Sequence, residues 1–182
     1  LYGMGNGADK IIKALERVSV KPSGVFATDG FVRDKRFHGM SLTTYSALKE
    51  RFGDMTVLLC FGSSRPEVLE NINRIAAEQE LLVPDVPVYG DGLFDSEYAA
   101  AHTEELLWVY SRLADEKSRE TLENTVNFKL SGKPEYLYRC EVSHDEPFQS
   151  FLMLCDDESY LDLGAYNGDT VLEFIQKTGK YK

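Results

Sequence analysis

The chain lacks the clusters of basic residues that nucleic-acid and anionic-membrane surfaces need. Its 20 lysines and arginines are outnumbered by 30 acidic residues, which gives a net charge of -10. The densest basic run is RDKR at residues 33–36, which we interpret as a solvated loop. Nucleic-acid binding depends on clustered cations that neutralise phosphates. The sequence therefore predicts neither a nucleic-acid partner nor a membrane partner.

Long apolar runs and paired cysteines are also missing. No apolar stretch approaches the roughly 18 residues of a membrane-spanning helix, and no signal peptide is recognisable. The three cysteines, Cys60, Cys140 and Cys155, lack the spacing of a disulfide framework or a zinc site. Cys60 and Cys155 lie in apolar runs and are expected to be buried in a reducing, cytoplasmic compartment. No histidine has further ligands at metal-binding spacing, so no metal site is predicted.

Residues 1–95 alternate between segments of strand type and segments of helix type. Strands are predicted at the first residues and in GVFATDG, TVLLCFGSS and VPVYGDGLFD. Helices are predicted between them, including SLTTYSALKERFG and SRPEVLENINRIAAEQ. Regular alternation is typical of crossover units that build a parallel sheet. We therefore predict an α/β fold, with a Rossmann-like parallel sheet and flanking helices over residues 1–95.

Capping signals place several of the predicted helix ends. A threonine pair can cap the start of the second helix, and Gly53 can end it. Ser64 and Glu67 have the spacing of a capping box at the start of the third helix. Pro66 lies in the first turn of that helix, where its missing N–H costs nothing.

The glycine turn GMGNGA, residues 3–8, follows the first predicted strand. It fits the pattern G-x-G-x-x-G/A, in which a phosphate approaches backbone N–H groups at a helix start. The candidate residues of this nucleotide site are Gly3, Gly5, Asn6 and Gly7, with Asp29 on the next strand as the acid for a ribose hydroxyl. Alternatively, these glycines only allow the helix to pack closely on the sheet.

Residues 96–132 carry helical periodicity and are predicted to form a connector. Ser118 can cap its second helix, and Gly132 can end that helix. Trp108 is expected to lie in a buried seam between domains rather than in the wall of a ligand site. The remaining segment, residues 133–182, is interpreted as a linker and the start of a further domain.

A second glycine turn, YLDLGAYNGDT, lies in this last segment between a predicted strand at residues 160–163 and a helix that ends at Gly179. Its spacing suits a nucleoside with an amino-acid tail. Asp162 can accept hydrogen bonds from a cationic amino group, Gly164 lets the tail approach the backbone, and the amides of residues 165–168 can face a carboxylate. The candidate cofactor-binding residues are Asp162, Gly164, Ala165, Tyr166, Asn167, Gly168, Asp169 and Thr170. A plain strand-to-helix turn is the alternative.

The segment DLGAYNGDT resembles the first cofactor-binding motif of methyltransferases that use S-adenosylmethionine (SAM), and among these the FkbM-like family. WVYSRLADEKSRETLENTVNFKLSG is similar to the segment that precedes the catalytic domain in longer members. Those members begin with a Rossmann-like domain that has a turn of the YGxGxxG type. Asn167 departs from the motif, where aspartate is common. The resemblance extends over almost the whole chain.

The resemblance implies SAM as the cofactor and methyl transfer to a small-molecule acceptor, commonly a hydroxyl of a small molecule or sugar. The base and the acceptor pocket would follow the motif, so no catalytic residue is assigned. We expect an accessory domain, a helical connector and the first strand–helix unit of a truncated methyltransferase domain, inactive by itself. Two alternatives remain: a nucleotide or nucleotide-sugar binding module, and a structural domain that forms a homo-oligomer.

Overall fold

The structure is a computed structural model that describes residues 1–28, 36–87, 89–90, 92–148, 152–155 and 157–179. The chain has a mixed α/β fold, as predicted. It divides into two compact units, Leu1–Cys140 and Glu141–Lys182, which are described separately. The three predicted domain ranges remain predictions.

The sheet of the first unit is almost entirely parallel. Its strands are β1 (Val25–Ala27), β2 (Arg36–Phe37), β3 (Met40–Thr44), β4 (Thr56–Leu58) and β5 (Glu80–Leu82). β1 pairs with β3 and β4 with β5 in parallel, whereas β2 pairs antiparallel with β3. Tyr2 forms parallel bridges to Phe26 and Leu59 and so joins the two halves. The order across the sheet is β2, β3, β1, Tyr2, β4, β5.

Backbone hydrogen bonds hold Tyr2 on both sides. Its N–H donates to the Leu58 carbonyl at 2.8 Å, and its carbonyl accepts from the Cys60 N–H at 3.0 Å. On the other side, the Phe26 N–H donates to Leu1 and the Phe26 carbonyl accepts from Gly3, both at 2.9 Å. The predicted first strand is therefore the central one.

Helices cover both faces of the sheet. Successive residues of a strand point to opposite faces, and the core accordingly forms two clusters. One contains Tyr2 and Phe26 with residues of α2 (Tyr45–Phe52) and α3 (Pro66–Glu78). The other contains Leu1 and Val25 with residues of α1 (Asn6–Arg17). The prediction of flanking helices is confirmed, and burial on both faces is what a parallel sheet requires.

Several predicted boundaries in this unit are wrong. Residues 41–44, predicted as the start of a helix, belong to β3. Of the two threonines predicted to cap α2, only Thr44 does so: its hydroxyl accepts a hydrogen bond from the Ala47 N–H at 3.2 Å. Gly53 ends α2 at φ 69°, as predicted. Pro66 opens α3, but its N-cap is Arg65 without a side-chain cap, because Glu67 pairs with the Arg65 guanidinium instead of closing a capping box.

The fourth predicted strand is also misplaced. β5 lies at Glu80–Leu82, and the described residues of VPVYGDGLFD contain no strand. Pro84 and Pro87 explain the difference, because proline cannot donate a hydrogen bond to a neighbouring strand. The paired segment therefore stops before the prolines.

The predicted connector is helical. It contains α4 (Ser96–Ala101), α5 (Thr103–Arg112) and α6 (Glu116–Ser131), followed by α7 (Glu135–Arg139). Gly132 ends α6 in the left-handed conformation, as predicted, and its carbonyl accepts from the Val83 N–H at 2.6 Å. The cap of α6 is Asp115 rather than Ser118, whose N–H donates to the Asp115 carboxylate at 2.8 Å. Trp108 is 60% exposed, and the seam between domains expected at this residue stays a prediction.

The second unit contains the second glycine turn and α8 (Asp169–Thr178), which ends at Gly179 as predicted. The strand predicted at residues 160–163 is absent from this described segment, and Leu161 and Leu163 are 80% and 88% exposed. An isolated extended segment gains no ladder hydrogen bonds, so a strand does not form without a neighbour. The Tyr160 ring instead stacks on Phe174 of α8, with centroids 4.5 Å apart.

Candidate functional site

Three glycines of the first turn have different structural roles. Gly3 is buried at φ 103°, and a Cβ there would lie 2.6 Å from the Phe61 ring. Gly5 precedes α1 at φ 96° and has open space around it. Gly7 has an ordinary φ, but its Cβ would lie 2.1 Å from the Cys60 carbonyl oxygen. Gly7 thus fits the close-packing alternative, whereas Gly5 leaves room at the helix start.

The first turn of α1 also carries an acid. Asn6 begins α1 and is exposed, and Asp9 follows within the same turn. The Asp9 carboxylate lies 2.7 Å from the His38 imidazole. A carboxylate here already interacts favourably with the positive end of the helix dipole. Asp29, the predicted ribose-binding acid, lies outside the described residues.

A cleft of about 270 Å³ opens beside this turn, at the carboxyl ends of Tyr2, β1 and β4. Gly3, Thr28, Phe61 and Arg65 contribute to its lining. The Tyr2 hydroxyl and the Thr28 hydroxyl are 2.7 Å apart and fix the lining on the β1 side. The strand order reverses at Tyr2, and ligands of open α/β sheets bind in the crevice at such a reversal.

Arg65 is the cleft residue that the sequence reasoning missed. Its guanidinium pairs with Glu67, and the pKa of Glu67 is lowered by its own backbone N–H and by this arginine. Its position in the sequence could have indicated this role. Arg65 follows β4 closely, and the carboxyl ends of neighbouring parallel strands lie at one edge of the sheet. A cation at that edge can neutralise an anionic ligand.

The second glycine turn depends on three residues with positive φ. Gly164 has φ 110°, Tyr166 has φ 40° and Gly168 has φ 81°. Both glycines have open space where a Cβ would stand. Tyr166 is 97% exposed although non-glycine residues seldom adopt this conformation. The turn is therefore an open, strained loop at the start of α8.

The predicted residues of this turn come together around Asp162. Its Oδ2 accepts a hydrogen bond from the Thr170 hydroxyl and another, at 3.3 Å, from the Tyr160 hydroxyl. The Thr170 N–H donates to Asp169 at 3.0 Å, and the Asp169 N–H donates to Asn167 at 3.3 Å. Asp162 is thus held by the first turn of the helix it precedes.

One part of the predicted amide cradle is wrong. The Gly168 N–H donates to the Ala165 carbonyl at 2.5 Å and so does not face a ligand. Side chains of the turn likewise engage the amides of Asp169 and Thr170. An incoming carboxylate would therefore meet the exposed part of the loop around Ala165, Tyr166 and Asn167.

The residues present fit the amino-acid end of SAM in two respects. The Asp162 carboxylate is oriented by neighbouring hydroxyls, and such an acceptor suits an ammonium group. Gly164 supplies open space next to the backbone. In the part of the chain that the structure describes, no three His, Cys, Asp or Glu side chains are grouped to hold a metal ion. Nor do the described residues form a helix long and apolar enough to cross a membrane.

The sequence matches no protein-family model and no curated protein. The structure is similar to the crystal structure of the methyltransferase FkbM from Methylobacillus flagellatus KT, with a TM-score of 0.58 at 20% sequence identity. The match covers 87% of this chain and 46% of the FkbM chain. The chain has an FkbM-like fold. The predicted resemblance to the FkbM-like family is confirmed for the fold.

The chain spans about half the length of the FkbM chain that it matches. Similarity at 20% identity establishes a shared fold. The site residues assigned from the sequence therefore remain predictions.

Proposed function

We propose that this chain is part of a SAM-dependent methyltransferase that acts on a hydroxyl of a small molecule or sugar. The observation that carries the proposal is the arrangement of Asp162, Gly164 and Thr170 at the start of α8. The Thr170 hydroxyl orients the carboxylate, and the glycine keeps the adjacent backbone accessible. The FkbM-like fold supports this reading.

Each of these residues has a separate role in the proposal. Asp162 accepts hydrogen bonds from the ammonium group of the cofactor, and its charge offsets the positive charge there. Gly164 lets the amino-acid tail approach the backbone without meeting a side chain. SAM, when bound, supplies a methyl group on a positively charged sulfur. We assign no base and no acceptor pocket, and the proposal rests on the cofactor-binding turn alone.

Calorimetric titration with SAM tests this proposal. We expect the intact gene product to bind SAM and Asp162→Asn to weaken binding by about 10- to 100-fold, because a hydrogen bond to a charged group contributes about 1.5–3 kcal/mol. Asp157→Asn, in the same unit but outside the turn, is the control and should bind like the wild type. Failure of the intact protein to bind SAM, or full affinity in Asp162→Asn, would contradict the proposal.

A second candidate function is nucleotide or nucleotide-sugar binding by the first unit, as a Rossmann-like module. The specific observation in its favour is the cleft of about 270 Å³ where the strand order reverses. Gly3 lines this cleft, and Gly5 leaves the nearby start of α1 open. Arg65 supplies a cation on the opposite side of the reversal, at the end of β4.

A thermal-shift screen with nucleotides and nucleotide sugars tests the second candidate. We expect a raised melting temperature in the wild-type chain and none in Gly5→Asp, because a carboxylate would repel phosphate at the helix start. Gly39→Asp is the matched control, since Gly39 also has a positive φ and open surroundings. A screen without stabilisation would exclude this candidate for the ligands used.

A further inference from the structure

Helix α5 carries large apolar side chains that are exposed. None of its residues is buried. Leu107 and Trp108 are 61% and 60% exposed, and Val109 is 39% exposed. These three residues are consecutive, so their side chains point about 100° apart, and Trp108 is the large apolar side chain at the centre of one helix face. Tryptophan is among the residues that contribute most to protein–protein binding.

The charges of α5 are arranged with opposite signs at its two ends. Glu104 and Glu105 lie in the first turn and Arg112 in the last. Glu104, Trp108 and Arg112 are each four residues apart, so they share one stripe of the helix. The Arg112 guanidinium lies over the Trp108 ring, 4.9 Å from its centroid. Among the described residues, no ion pair includes Glu104 or Arg112.

We propose that α5 binds α5 of a second copy of this chain, antiparallel, across a two-fold axis at Trp108. In this arrangement Glu104 lies opposite the partner's Arg112, and Arg112 lies opposite the partner's Glu104. Trp108 meets the partner's Trp108 at the axis, and Leu107 lies at the flank of this contact. A parallel arrangement would place like charges side by side, which costs affinity. The surface is therefore self-complementary, as a two-fold interface requires.

The size of α5 sets the strength of this dimer. Its ten residues extend about 15 Å at the rise of an α-helix. An interface built mainly on this helix belongs to the small, transient class, so association should be studied up to about 100 µM protein. Trp108 is the single tryptophan of the chain, so fluorescence reports on this surface alone.

Sedimentation equilibrium and tryptophan fluorescence of the 182-residue chain test the proposal. We expect a reversible monomer–dimer equilibrium, with the emission of Trp108 moving to shorter wavelength as the concentration rises. Arg112→Glu or Glu104→Arg should each raise the dissociation constant at least about tenfold, because each brings like charges together twice. Glu104→Arg combined with Arg112→Glu should restore association to within about threefold.

Arg51→Glu is the matched control, since Arg51 also lies over an exposed aromatic ring, that of Phe52, at 4.8 Å. It should dimerise like the wild type. Circular dichroism establishes that each variant keeps its helices. A wild-type chain that stays monomeric with unshifted emission overturns the proposal and assigns the α5 surface to a different partner. Dimerisation that is insensitive to both single charge reversals overturns it as well.

Discussion

Gly7 of α1 lies against the backbone of Cys60, so closely that a Cβ on Gly7 would be 2.1 Å from the Cys60 carbonyl oxygen. Gly7→Ala should therefore push α1 away from the sheet and lower the free energy of unfolding by about 1–3 kcal/mol. Urea unfolding followed by circular dichroism measures this. Gly62→Ala, where the added Cβ meets nothing within 4 Å, should change little. Equal stability of the two variants would show that α1 packs differently.

The thiol of Cys60 should be chemically inert in the folded protein. Burial raises the pKa of Cys60 to about 11, and thiolate is the reactive form of cysteine. Cys155 is exposed, which corrects the expectation that it is buried, and Cys140 is half-buried. At pH 8, an aromatic disulfide reagent should modify Cys155 fastest, then Cys140, and Cys60 only after unfolding. Mass mapping of the labelled cysteines checks this order, and early labelling of Cys60 would contradict it.

Glu78 should contribute stability that disappears in acid. Its carboxylate accepts hydrogen bonds from Lys49 at 2.7 Å and Tyr45 at 3.0 Å, and these, led by Lys49, hold the pKa of Glu78 below its usual 4.5. Because the folded pKa is the lower one, the contribution is complete above the unfolded value and declines as the pH falls through the folded value.

Glu78→Gln should accordingly lower the free energy of unfolding at pH 7, with the difference from the wild type shrinking below about pH 4.5. Chemical unfolding across this pH range measures the difference. Glu70→Gln, on the exposed face of the same helix, is the control. A difference between Glu78→Gln and the wild type that stays constant with pH would refute the role of the ionised carboxylate.

Thr170 should affect cofactor affinity through the position of Asp162. Thr170→Val removes one of the two hydroxyls that orient the Asp162 carboxylate and should weaken SAM binding by the intact gene product about three- to tenfold, because the carboxylate itself is kept. Thr170→Ser keeps the donor and should retain most of the affinity. Thr178→Val changes a hydroxyl on the same helix that bonds only backbone carbonyls, and it should have no effect. Calorimetry distinguishes these outcomes.

Local chemistry allowed much of the first unit to be predicted from the sequence. Gly53 and Gly132 end their helices because glycine adopts positive φ without steric cost. Pro66 starts α3 because a first-turn residue needs no N–H partner. The continuous apolar run in TVLLCFG likewise placed β4, because a strand buried on both faces is apolar throughout. These signals need no knowledge of distant residues.

The errors occurred where distant neighbours decide the structure. The sequence of residues 41–44 is typical of the start of a helix, but the segment pairs with β1 and β2. Strand pairing with distant residues therefore outweighs the local preference for a helix. Residues 160–163 have a strand-like sequence, yet no described segment pairs with them. Arg65 is a candidate because β4 lies beside Tyr2, and the local sequence does not show which strands are neighbours.

The central position of Tyr2 has a consequence for the order in which the protein folds. Its two partners, Phe26 and Leu59, follow later in the chain, so the middle of the sheet closes only after β4 has been synthesised. Until β4 emerges, the first residues keep an unpaired edge that can associate with other chains. Folding should thus be limited by these long-range contacts, and the nascent chain should be most prone to aggregation before residue 60 has left the ribosome.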